Sequence, residues 1–216
     1  MVRSGDRMHA YLIDQVNMML RRPQMYGGEP ALWTTFDHLF FLEDEDRGRA
    51  DLWESWRERN AFTPTGPKGA LQRHLPGNDL AHALASMYAE AARNRGWLRL
   101  DRILTADEYV EIREAIASFT GQDRSYSDVI DTFGEPSVLF GSSNRLYGKT
   151  LAYATADAAD PMVVCHLWNG VDEGAEQHWP RKYPEPLLLA IRYGTDSFPA
   201  TFSFTPKGRR LRPQSG

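Results

Sequence analysis

The sequence predicts an α+β protein, with a helical N-terminal part over residues 1–121 packed on a C-terminal antiparallel β-sheet of about four to five strands within residues 122–216, the two forming one compact unit. Three observations carry this. Apolar residues recur at helical spacing as far as Gly121, and beyond it they come in short runs and alternations divided by Pro, Gly and Asp. Most of the candidate strands have no helix-length segment between them, which favours antiparallel pairing over crossovers. The join, Ser125-Tyr-Ser-Asp-Val-Ile-Asp-Thr-Phe-Gly-Glu-Pro-Ser137, reads as a short helix stopped by Gly134 and Pro136 that feeds the first strand.

The helices follow in order. Met8, Leu12, Val16 and Met19 form the stripe of a one-sided helix that must stop near Arg22, because Pro23 disfavours helical geometry before it. Arg22-Pro-Gln-Met-Tyr-Gly-Gly28 is a turn in which Met25 and Tyr26 are expected to pack, and Pro30 suits the first helical position of the next element. That helix carries Leu32, Phe36, Leu39 and Phe40 and ends at the acidic run Glu43–Asp46. Leu52, Trp53 and Trp56 mark a third helix, and Thr63-Pro-Thr-Gly-Pro-Lys-Gly69 reads as a linker. A fourth, capped at Asn78 or Asp79, presents Leu80, Leu84, Met87, Tyr88 and Ala91, and Gly96 closes it in left-handed geometry. Thr105-Ala-Asp-Glu108 is a capping box. The helix it opens buries Tyr109, Ile112, Ile116 and Phe119, with Gly121 as a left-handed C-cap.

Strands are expected at Ser137–Phe140, Thr150–Thr155, Met162–Trp168, Leu187–Tyr193 and Thr201–Thr205. Leu151 and Tyr153 share one face; Leu187, Leu189, Ile191 and Tyr193 share another, as do Phe202 and Phe204. For Leu151–Thr155 the alanines leave helix open as well.

Composition bounds the function. At 216 residues with 42% hydrophobic and 25% charged residues, the chain is of ordinary globular type. A formal charge of -4 argues against nucleic acid as a partner, and the basic Lys207–Arg212 segment reads as a solvated end. Cys165 is the lone cysteine, so no intrachain disulfide forms. The N-terminus lacks a secretory pattern and no apolar run is long enough to span a bilayer, so a cytoplasmic protein without membrane contact is expected.

Chemical motifs are sparse. Gly148-Lys-Thr150 matches the end of a phosphate-binding loop, but Ser143 stands where the first glycine belongs, Gly141 is two residues early, and Met162–Trp168 runs into Asn169 instead of a magnesium-holding Asp. A hairpin loop is expected there, with no cofactor. The histidines His9, His38, His74, His82, His166 and His178 show no metal-ligand spacing, so no metal is expected. Cys165 and His166 are strand neighbours whose side chains face opposite ways, so they cannot act together as nucleophile and base. The long loop Val171–Pro186 gathers Asp172, Glu173, Glu176, His178 and Glu185, an acidic set able to do acid/base work, and is flanked by aromatics that suit a contact surface. The candidate partner-binding residues are Trp168, Glu173, Glu176, Trp179 and Tyr183; no catalytic residues are assigned.

Two resemblances accompany this. Arg22-Pro-Gln-Met-Tyr-Gly-Gly28 resembles the Arg-Pro-x-Met-Tyr-x-Gly turn of the ATPase subunit of type II topoisomerases. The next helix, Phe36-Asp-His-Leu-Phe-Phe-Leu-Glu43, lacks that family's magnesium-binding Asn, and no Asp-x-Gly-x-Gly follows. The same turn is similar to that of small bacterial proteins, some of them immunity-like. Ser127–Ser137 with the strands after it resembles β-lactamase-inhibitor-like domains, where a short helix ending in Gly-x-Pro leads into a meander that grips another protein. The resulting expectation is a protein-binding module, immunity-like, that occludes a basic partner such as a toxin. The alternative is an enzyme using the acidic loop or His166.

Overall fold

The computed structural model describes residues 4–77, 80–170 and 183–213. The elements run α1 (Ser4–Arg21), α2 (Gly28–Leu42), α3 (Gly48–Glu58), α4 (Pro67–Gln72), α5 (Ala81–Asn94), α6 (Ala106–Phe119), α7 (Tyr126–Phe133), β1 (Val138–Gly141), β2 (Lys149–Tyr153), β3 (Val163–Trp168), β4 (Leu187–Arg192), a 3₁₀ turn (Phe198–Thr201), β5 (Phe202–Phe204) and α8 (Pro206–Leu211). The strands form one antiparallel meander in the order β1-β2-β3-β4-β5, so the mixed fold is a mainly N-terminal set of helices followed by a C-terminal sheet.

The local signals account for these elements. Thr105 Oγ1 accepts from the Glu108 amide and Glu108 reaches back to the Thr105 amide, the reciprocal box read from sequence. Ser125 and Asp128 do the same for α7, and Gly134, at φ +73°, stops it. Gly96 ends α5 at φ +71°. Leu151–Tyr153 is strand.

The sheet is buried on both faces. On one, Val138, Phe140, Ala152, Val164, Ala190, Phe202 and Phe204 join a core built by α1 to α5. On the other, Leu151, Tyr153, Val163, Cys165, Leu188 and Ile191 meet Tyr109, Ile112, Ile116 and Phe119 of α6 and Val129 and Phe133 of α7. The chain passes from one side to the other between Trp97 and Leu104, where the Asp101 amide bonds Ser137 O at 2.8 Å and the Leu104 amide bonds Ala154 O at 2.9 Å. Asn17 ties this crossing to α1: its Nδ2 donates to Trp97 O at 2.7 Å and its Oδ1 accepts from the Arg99 amide at 2.8 Å.

Several expectations need correction. In β4, Leu167 pairs with Leu188 while His166 pairs with Ala190, so Leu189 is an extra, bulged residue. The bulge shifts the alternation by one: Leu188 and Ile191 share a core, and Leu189 belongs to the opposite one. Gly121 is not left-handed; α6 ends at Thr120 with ordinary right-handed geometry. The linker Thr63–Gly69 is a tight turn, with Thr63 bridging Gly66, that runs directly into α4 at Pro67. Pro30 is the third residue of α2, because glycines at 27 and 28 with φ +84° and +63° make the turn first. Met25 and Tyr26 in that turn are exposed, as is Met8 on α1. The basic C-terminal segment is folded as α8, capped by Thr205 and anchored by Arg210 to Asp123 at 2.9 Å.

Candidate functional site

At one end of the sheet, β3 leaves through Trp168 and Asn169. Asn169 is buried, and its side chain ties three segments together. Nδ2 donates to Leu146 O in the β1–β2 hairpin at 3.0 Å and to Tyr183 O at 2.9 Å, and Oδ1 accepts from the Tyr183 amide at 3.3 Å. The bases of the Val171–Pro186 loop are thereby pinned to each other and to the neighbouring hairpin. Buried amides that bond backbone on both sides fix register at little cost, since every polar atom is paired.

Of the residues expected to contact a partner, Trp168 and Tyr183 come together here, with ring centroids 6.3 Å apart. Lys207 of α8 places its ammonium 5.9 Å and 5.4 Å from the two ring centroids. Glu173, Glu176 and Trp179 lie outside the described residues, as do Asp172 and His178. Glu185 belongs to the scaffold: its Oε2 accepts from the Ser127 amide at 3.2 Å and from Ser127 Oγ at 2.7 Å, adding a second carboxylate to the start of α7. The adjoining bridge between Ser125 and Leu187 holds α7 against β4.

Gly148-Lys-Thr150 sits at the end of the hairpin and on β2, where successive side chains diverge. Lys149 turns to the α7 side, its Nζ donating to Asn144 O at 2.8 Å and lying 4.7 Å from the Tyr126 ring. Burial, with Arg145 and Arg22 nearby, pushes its pKa down to about 8. Thr150 turns to the α5 side. A lysine and a hydroxyl on opposite faces of a sheet cannot hold one phosphate together.

Thr150 opens a polar seam that the sequence did not reveal. Its Oγ1 stands 2.9 Å from His82 Nδ1 and 3.3 Å from His166 Nδ1, so one hydroxyl can donate to one imidazole and accept from the other. Along α5, Ser86 accepts from Arg192 at 3.2 Å and Glu90 pairs with Arg192 at 2.5 Å. Arg93 donates to Thr155 O at 3.0 Å and also to the carbonyls of Asp157 and Asp160. His82, Ser86, Glu90 and Arg93 follow at steps of four, four and three, which is one helical face. That face reads as solvent-directed in isolation; packed against the sheet it has Ser86 and Arg93 buried and His82 and Glu90 half-buried.

His166 is 2% exposed and stacks on Phe202 with ring centroids 5.8 Å apart. Burial, then the Arg192 and His82 charges, hold its pKa well below the usual histidine value, so the ring stays neutral at physiological pH. Its Nε2 has no hydrogen-bond partner among the described residues. Cys165, on the other face, is wholly buried among apolar groups, which pushes its thiol pKa up and leaves it unreactive. Among the described residues no cluster of three or more His, Cys, Asp or Glu could hold a metal ion, and no helix is long and apolar enough to cross a membrane. No protein-family model, curated protein or solved structure matches the chain.

Proposed function

We propose that this chain is a protein-binding module, immunity-like in its mode of action, that occludes a partner with the sheet end carrying Trp168, Tyr183 and the loop between them. The observation that supports this most is the Asn169 clamp. With Asn169 tied to the β1–β2 hairpin and to Tyr183, the Trp168–Tyr183 aromatic pair is held on a rigid sheet end, and anchors fixed in advance cost little entropy on binding. The formal charge of -4 suits a basic partner such as a toxin, through complementary charge and faster encounter. The experiment is co-purification with the products of adjacent genes, followed by calorimetry at two ionic strengths. A one-to-one, salt-weakened complex that Trp168→Ala and Tyr183→Ala disrupt is expected. A complex indifferent to both substitutions would place the interface elsewhere.

A second reading, an enzyme centred on His166, is favoured by a neutral imidazole whose Nε2 has no partner among the described residues and which is linked through Thr150 to the half-buried His82. A turnover lost in His166→Ala with the fold intact would support it over the binding module.

A further inference from the structure

Between the α1–α2 turn, α4 and the start of α5 lies a cleft of about 270 Å3. Its walls include Pro23, Pro30, Leu32 and Leu84, and its charged groups among the described residues are Glu29 and Lys68. That volume falls just below the roughly 300–1,000 Å3 of sites for drug-sized ligands, which suits a smaller molecule.

The two charges set the chemistry. Glu29 is half-buried, and its Oε1 accepts from the Tyr88 hydroxyl at 2.6 Å, a bond anchored on a wholly buried ring. The carboxylate is therefore positioned by the core. Yet among the described residues Glu29 forms no ion pair, and neither does Lys68. A partly desolvated carboxylate in an apolar cleft gains from a cation that enters with its own N–H donors. Lys68, on an exposed four-carbon stem, can reach over the same cleft and offers a cation to an anion. An acid and a base that share apolar walls without pairing match a ligand that carries both charges on one apolar body. A simple amine would leave Lys68 unmatched, and a simple carboxylate would meet Glu29 as a like charge.

We propose that this cleft binds a free amino acid with an apolar side chain, its ammonium on Glu29, its carboxylate on Lys68 and its side chain against Pro23, Leu32 and Leu84. The site is separate from the Trp168–Tyr183 surface and stands whether or not a protein partner binds there.

Calorimetry and ligand-observed NMR with L-leucine, L-methionine and L-phenylalanine test the proposal, with isopentylamine and 4-methylpentanoate as the single-charge analogues of leucine. Saturable binding with a Kd below about 1 mM is expected for at least one amino acid. Each analogue should bind about tenfold more weakly or worse, the loss expected for one charge-assisted contact. Glu29→Gln keeps an acceptor for Tyr88 and Lys68→Met keeps the stem, so both variants should melt like the parent while losing about tenfold in affinity. No saturable binding of any of the three at 10 mM, in about tenfold excess over that Kd, would overturn the proposal. Equal binding by the single-charge analogues would overturn it too, as would affinity unchanged in both variants.

Discussion

The seam between α5 and the sheet makes a sharp energetic prediction at Arg192. This guanidinium is 2% exposed and meets Glu90 at 2.5 Å and Ser86 at 3.2 Å, while Glu90 itself is 25% exposed. Removing the acid in Glu90→Ala leaves a buried cation with one neutral acceptor. Breaking a buried pair this way costs about 3–5 kcal/mol, and the partial exposure of Glu90 puts the value near the lower end. Arg192→Met with Glu90→Leu removes both charges and supplies apolar groups of similar size. That double variant should recover most of the loss, to within about 1–2 kcal/mol of the parent, because the pair's desolvation cost disappears with it. Urea unfolding followed by both tryptophan fluorescence and far-ultraviolet dichroism measures these differences, with coincident curves establishing two-state behaviour. A loss below about 1 kcal/mol for Glu90→Ala would refute the reasoning, since it would mean that water reaches Arg192 and the seam is not interior.

Four further outcomes are expected. Thr105→Ala should cost about 0.5–2 kcal/mol through loss of the α6 cap and Ile112→Ala about 2–5 kcal/mol through lost burial and a cavity; the reverse order in denaturant melts would make α6 an exposed strut. Gly208→Ala should be far more damaging than Gly121→Ala, because a Cβ at Gly208 collides with the Leu189 carbonyl, whereas one at Gly121 lies 3.1 Å from Ser118 O; equal melting temperatures would contradict the packing of α8 on β4. His74, lowered to about 4 by burial and then Arg212 and Arg73, and His166, lowered by burial, are neutral when folded and protonate more readily when unfolded. The histidines' contribution to stability should therefore be full above about pH 6.5 and fall below it toward pH 4, by at most about 1.4 kcal/mol per pH unit for each, and a flat profile from pH 7 to 5 would contradict their burial. Cys165 should resist a thiol reagent in the native protein and react in denaturant; fast native labelling would show that the sheet opens.

What the sequence by itself determined is what short-range geometry controls. The capping box at Thr105, the left-handed stop at Gly96, the short helix stopped at Gly134, the buried stripe from Tyr109 to Phe119 and all five strands are set by residues within a few positions of one another. The tertiary structure alone decided which side of each element is interior. Periodicity on β4 gave one face, but the bulge at Leu189 moved part of it to the other core. The polar stripe His82, Ser86, Glu90 and Arg93 has the spacing of a solvated face, and only the partners that distant segments bring to it, Thr150, Arg192 and Thr155, make it a seam with Ser86 and Arg93 buried and His82 and Glu90 half-buried. The meeting of Trp168 with Tyr183, and of Glu29 with Lys68 across one cleft, likewise joins segments far apart in the chain. A residue's local spacing reports the geometry of its own element; burial and pairing depend on what packs against that element, and no short window contains both sides of a contact.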